Sequence, residues 1–199
     1  AGLSGSGVKA AILDTGIYVS HEMFNGKNIL MQSFVQGEDA LDYNSHGTHV
    51  AGIIGGNGRY KGAAPNITLL NAKVLNQYGS GTTSQIISGI NWAVDNGADI
   101  IVMSFGRTNS ETDGPLASTI TEAISKSVIF VAASGNCKQG CNGFFGVTSP
   151  ANMPEVIVAG AIDENNNVVY FSSGEDFGSY IKPDFVAPGV NIMSSIRNN

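Results

Sequence analysis

Three short stretches put chemistry-bearing side chains at the ends of apolar runs. Asp14 opens Asp-Thr-Gly-Ile, directly after the run Val8 to Leu13. His46 and His49 stand in the stretch Asn44 to Gly56, ahead of a helix of small residues. Asn136 ends the run Val-Ala-Ala-Ser-Gly-Asn, where a strand enters a Gly-Asn turn. A carboxylate at the end of an apolar strand is partly desolvated and needs a donor nearby. Two histidines three apart raise a metal site, but the zinc spacing of two histidines at i and i+4 around a glutamate is absent. A carboxamide in a tight turn presents its NH₂ to a developing oxyanion. Each stretch also has a plainer reading. Asp14 can cap a turn or helix, His49 can be a packed helix residue, and Asn136 can serve the turn alone.

The elements that must position these residues alternate. Val8 to Leu13, Ile67 to Leu75, Asp99 to Ser104, Ser127 to Ala133 and Glu155 to Ala161 are apolar on both faces, as parallel strands covered by helices must be. Between them, Ile86, Ile87, Ile90, Ala93 and Val94 form one helical face in Thr83 to Asn96, with Ser84 as the expected N-cap and Gly97 as the stop. Leu116, Ala117, Ile120, Ala123 and Ile124 do the same in Pro115 to Lys126. Strand, helix, strand, helix predicts an α/β layer fold with a mostly parallel sheet. Ligands of such sheets bind at the carboxyl ends of the strands, where all three stretches lie.

The 199 residues fit one domain, with 42% hydrophobic and only 13% charged residues and 26 glycines. That composition suits a compact body with closely approaching loops. A net charge of −6 without a basic block argues against nucleic-acid and membrane-surface partners. The apolar runs are too short to cross a bilayer.

Taken in order, Asp-Thr-Gly after a strand, His-Gly-Thr-His-Val-Ala-Gly, and Ser-Gly-Asn after another strand resemble the subtilisin-like serine proteases, the subtilases. The resemblance extends to Gly5–Ile17, Tyr78–Gly106 and Lys182–Ile192, and so to essentially the whole chain. It implies a three-layer subtilisin-like α/β fold, with helices on both faces of the sheet, over residues 1–199. It implies a serine endopeptidase whose triad runs in the order Asp, His, Ser. Asp14 then orients His46, His46 is the general base, and Asn136 is an oxyanion donor. Gly79, Ser80 and Gly81 flank an extended substrate on one side and Ser104, Phe105 and Gly106 on the other. The specificity pocket is walled by Ser104 to Gly106 and by Ala133, Ser134 and Gly135, extended by Ala132, with its floor near Val147 to Ser149. Arg107 departs from the small residue expected there.

The nucleophile's Gly-Thr-Ser motif does not occur in residues 1–199, and Ser172, Ser173, Ser194 and Ser195 stand in the wrong context. The peptidase domain is therefore expected to be partial, lacking its C-terminal part with the serine, and inactive alone. A second polypeptide or segment is expected to supply that serine. Without the helix that begins there, Val8 to Leu13 and Ser127 to Ala133 are expected to expose apolar area.

The expected cofactor is none. The family's calcium loop, near Gly56 to Gly62, looks shortened, and no metal site is expected. Cys137 and Cys141, with Lys-Gln-Gly between them, are close enough for a disulfide, and free thiols are the alternative. The family and the low charge fit a secreted protein acting on protein or peptide substrates. The rival function is a non-catalytic peptide-binding or regulatory pseudoprotease on the same scaffold. Asp-Thr-Gly also marks aspartic proteases, but those need two such loops, and one is present.

Overall fold

In a computed structural model, residues 3–108 and 114–197 are described. The chain divides into two compact units. The first comprises residues 1–102, 125–128 and 194–199, and the second residues 103–124 and 129–193.

In the first unit the strands are β1 (Lys9–Asp14), β2 (Leu30–Ser33), β3 (Thr68–Lys73) and β4 (Ile100–Met103, the last residue falling in the second unit), side by side in the order β2-β3-β1-β4. β1 and β2 both pair parallel with β3, Ile12 lying opposite Asn71 and Asp14 opposite Lys73. Alternation along a strand then sends each residue to one of two faces. Ala10, Ile12 and Leu69 join Ile17, Phe24 and Ala51 in one buried cluster beneath helix α1 (His46–Gly55). Leu13, Ala72 and Val74 meet Gly89 of helix α2 (Thr83–Asp95) on the other. Two helices on opposite faces make three layers.

This arrangement corrects one expectation. β1 does not expose apolar area: Ala10 to Leu13 are buried, because α1 and α2 cover both of their faces. α2 also begins earlier than Ser84 predicts. Its N-cap is Thr82, whose hydroxyl accepts from Gln85 N while the Gln85 side chain accepts from Thr82 N, a reciprocal capping box. Asn96 ends it, and Gly97 follows with φ +71°.

The second unit holds α3 (Gly114–Ser125), β5 (Ile129–Ala133), β6 (Ile157–Ile162), the short antiparallel pair β7 (Glu175–Asp176) and β8 (Ile181–Lys182), and β9 (Phe185–Pro188). β5, β6 and β9 are parallel neighbours. On β5, Phe130 and Ala132 are buried and Ile129 is exposed. At the N-terminal ends of β6 and β9 the buried Lys182 donates to Val156 O at 2.6 Å and pairs with Asp184, which accepts from Val158 N. Burial works against the ionised form of Asp184, but the bonds from Lys182 and Val158 outweigh it and hold the carboxyl below its ordinary value. No helix among the described residues is long and apolar enough to cross a membrane.

Candidate active site

β1 ends in Asp14, and α1 begins at His46, on the face of the sheet that β1 shares with it. His46 Nδ1 lies 2.7 Å from Asp14 Oδ1. Asp14 is fully buried, while the His46 side chain keeps 47% of its surface. Thr15 N donates to the same carboxylate oxygen at 2.7 Å. A buried carboxylate facing Nδ1 holds the proton there, leaving Nε2 as the basic atom. The hydrogen bond from His46 to Asp14 raises the imidazole pKa above its ordinary value; burial opposes the rise, and the charges of Asp14 and Asp42 reinforce it.

The start of α1 is held by side chains. The first backbone N–H groups of a helix have no intrahelical partner. Here His46 N donates to Asn44 Oδ1, Gly47 N to Thr15 Oγ1 and Thr48 N to Asp42 Oδ2. The N-cap, Ser45, makes no side-chain capping bond, its hydroxyl accepting from Arg197 N instead, and it sits at φ +89°, a strained conformation for a residue with a Cβ. Gly47 lies so close to the Asp14 turn that a Cβ would meet the Gly16 carbonyl.

Asp42 joins these parts and was not singled out from the sequence. It is fully buried. Oδ1 accepts from Thr15 Oγ1 (2.9 Å), Asn44 N (2.8 Å) and Ser45 N (3.0 Å), and Oδ2 accepts from Thr48 N and Thr48 Oγ1. Burial alone would raise its pKa. The bond from the Thr48 side chain and those from backbone N–H groups prevail and hold it below the ordinary carboxylate range. Lys73 was missed as well. Its buried ammonium donates to Thr15 O and pairs with Glu38 at 3.1 Å. A charge inside an apolar strand is the available signal, since a lysine seldom goes inside unpaired.

The expected substrate edge Gly79, Ser80 and Gly81 is exposed, in a turn where Gly79 N donates to Asn76 O and Asn76 N to Ser80 O. Asn44 Nδ2 donates to Gln77 O, tying that turn to the approach of α1. The first unit therefore brings Asp14, His46 and this edge together.

The second unit brings together the other expected residues. Arg107 and Ser149 exchange two backbone hydrogen bonds, and Thr148 N donates to Ser134 O. Ser104, Phe105 and Gly106 thereby share one site with Ala133, Ser134 and Gly135. Asn136 follows, exposed, at the head of a loop closed by the disulfide Cys137–Cys141. Cys137 N donates to Ser173 Oγ and Lys138 N to Phe171 O, which moor the loop. Replacing both cysteines by serine is expected to cost about 2 kcal/mol by the chain-entropy model, read as a lower urea midpoint.

None of the four serines is placed as a nucleophile. Ser194 Oγ donates to His49 O and the buried Ser195 Oγ to Thr48 O, both on the carbonyl side of α1. Ser172 Oγ accepts from Ala161 N and Ser173 Oγ from Cys137 N. His21 caps a short 3-10 turn through Nδ1, and His49 lies half-buried on α1. The loop 56–62 carries Arg59 and Lys61 and no carboxylate, a donor set that does not fit calcium. Among the described residues no group of three His, Cys, Asp or Glu side chains is arranged to hold a metal.

A carboxylate–imidazole pair at the carboxyl end of a buried parallel strand can hold and move a proton. Comparison with known proteins gives the family. The profile of the subtilase family matches residues 5–199. Subtilisin DY of Bacillus licheniformis is 40% identical over 203 residues, covering all of this chain and 70% of the relative. Subtilisin Savinase of Lederbergia lenta is also 40% identical, with 98% of this chain and 68% of the relative covered. Serine protease AprX of Bacillus subtilis is 37% identical across 96% of this chain and 48% of its own length. The crystal structure of a cold-adapted subtilisin-like serine proteinase superposes with a TM-score of 0.84 at 35% identity, over 98% of this chain and 68% of that one. The chain belongs to the subtilase family, and its fold is the three-layer subtilisin-like α/β fold.

Proposed function

We propose that the protein, at its full natural length, is a secreted serine endopeptidase that hydrolyses peptide bonds in protein substrates. The 2.7 Å bond between buried Asp14 and partly exposed His46 carries this reading. In it, a serine hydroxyl attacks the scissile carbonyl carbon as its proton passes to His46 Nε2. Asp14 stabilises the imidazolium. The Asn136 carboxamide donates to the oxyanion. His46 then protonates the leaving amine, and water resolves the acyl-enzyme by the same route in reverse. The nucleophile is a serine outside residues 1–199, on the same polypeptide or a second one. The hydroxyls of Ser194 and Ser195 are committed to α1 carbonyls. No metal takes part in the steps.

The test is labelling by a fluorophosphonate, which reacts with a serine activated by a histidine. The full-length protein is expected to be labelled at one serine outside residues 1–199, and His46→Ala to abolish the label. Labelling that survives His46→Ala, or no labelling of the wild type, contradicts the reading.

A further inference from the structure

One buried charge beside the Asp14–His46 pair has no part in the proton transfers. Lys73 lies opposite Asp14 where β3 pairs with β1. Side chains alternate between the faces of a sheet, and strand neighbours in register share a face. The lysine stem therefore runs beside the Asp14 turn, wholly buried. Its ammonium donates to Thr15 O and pairs with Glu38 Oε2 at 3.1 Å. Thr15 joins the parts of the site. Its N–H donates to Asp14 Oδ1 at 2.7 Å. Its hydroxyl donates to Asp42 Oδ1 and accepts from Gly47 N in the first turn of α1. One residue thus holds both the carboxylate and the helix that carries His46.

We infer that Lys73 is a positioning residue: by holding the Thr15 carbonyl it sets the geometry of the Asp14–His46 pair. Its kinetic consequence rests on the protease reading above; its effect on His46 does not.

The backbone on either side of Thr15 is fixed unequally. Before it, Asp14 O accepts from Val74 N and Leu75 N, at 3.0 and 3.1 Å. After it stands Gly16 at φ +111°, with no side chain to resist rotation of the Thr15–Gly16 peptide. The Lys73 ammonium is the donor that fixes this peptide plane. A rotation there would reach α1 directly. Gly16 O, Gly16 N and Asp14 Cβ all lie within 3.1 Å of where a Cβ on Gly47 would stand. Stability alone does not require a charge here, because a buried ion pair can often be exchanged for apolar side chains without loss. An apolar side chain cannot donate to Thr15 O.

The test replaces both partners by uncharged residues of like size, Lys73→Met together with Glu38→Gln, in the protein at full natural length. The glutamine still accepts from Gln77 N, as Glu38 does, and no buried charge is left unpaired. Two quantities are read on the folded variant: kcat and KM for a peptide substrate, and the titration midpoint of His46 Cε1–H. kcat is expected to fall by about tenfold to a hundredfold, with KM within about twofold of wild type. The midpoint is expected to fall toward the ordinary histidine value, because the bond with Asp14 is the first cause of its rise. Asp14 and Asp42, the charges that act on His46, stay in place. The two charges removed are opposite in sign and act oppositely on the imidazole, so a clear fall reads the geometry. An unchanged kcat, a loss confined to KM, or a midpoint that stays or rises overturns the inference. If the wild type cleaves no peptide, it is the protease reading that fails, and the midpoint decides alone. If the double variant does not fold, Lys73→Gln with Glu38→Gln, whose amide stops one bond short of the ammonium, is read with the same expectations.

Discussion

Replacing Asp42 by alanine is expected to destabilise the protein by about 3–5 kcal/mol, the largest stability effect of any single change proposed for the site. The carboxylate is fully buried and accepts hydrogen bonds from two hydroxyls and three backbone N–H groups. Alanine leaves all five donors facing a cavity. Each buried donor without a partner costs about 1–3 kcal/mol, and relaxation or water recovers part of the sum. The donors belong to the Asp14 turn, the loop before α1 and the first turn of α1, so the loss falls on the parts that align Asp14 with His46. The pH dependence has a definite sign. The Asp42 pKa is lowered in the folded protein. Its contribution is therefore present above the unfolded carboxylate value of about 3.9 and is lost as pH falls through the folded one. Urea unfolding of wild type and Asp42→Ala between pH 2 and pH 7 checks this. The two curves should lie far apart at neutral pH and converge in acid. Parallel curves would mean that what Asp42 contributes does not depend on its charge, and coincident curves that it contributes nothing net.

Asp14→Asn is expected to have the largest effect on catalysis, lowering kcat by roughly 10⁴, the size measured for the corresponding change in another serine protease. An amide cannot stabilise the imidazolium as a carboxylate does, and it favours the wrong tautomer. His46 reports the same change without catalysis. Its pKa is raised first by the bond with Asp14. The stability that bond contributes is fully present below the unfolded histidine value of about 6.5 and is lost as pH rises through the higher folded value. An NMR titration of His46 Cε1–H should show a midpoint above 6.5 in wild type and a clearly lower one in Asp14→Asn. Equal midpoints would separate His46 from Asp14.

Residues that sit at the ends of strong apolar strands were legible in the sequence. Asp14 and Asn136 follow runs that could only be buried strands, and His46 opens a helix of small residues. Cys137 and Cys141 are near enough in sequence to bond. Asp42 was not legible, because most of its partners are backbone N–H groups that only the folded loop gathers around it. Lys73 lies inside a run expected to be buried on both faces, but nothing in that run shows that Thr15 O and Glu38, distant in sequence, would satisfy its ammonium. The edge strands Leu30–Ser33 and Phe185–Pro188 are too short to carry a period. The start of α2 was misread because Ser84, a good capping residue, lies two positions inside the helix. The Thr-x-x-Gln spacing of Thr82 and Gln85 was the better signal. The exposure expected of β1 did not appear, since two helices of its own unit cover it.

The claim that everything else rests on is that His46, held by Asp14, is the general base. The pH dependence of kcat/KM for peptide hydrolysis, measured on the protein at full natural length as wild type and His46→Ala, tests it most directly. Wild-type activity is expected to rise with pH through a single ionisation above 6.5, the ordinary histidine value, and to fall to background in His46→Ala. Hydrolysis that is flat across that range, or that survives loss of the imidazole, would contradict it.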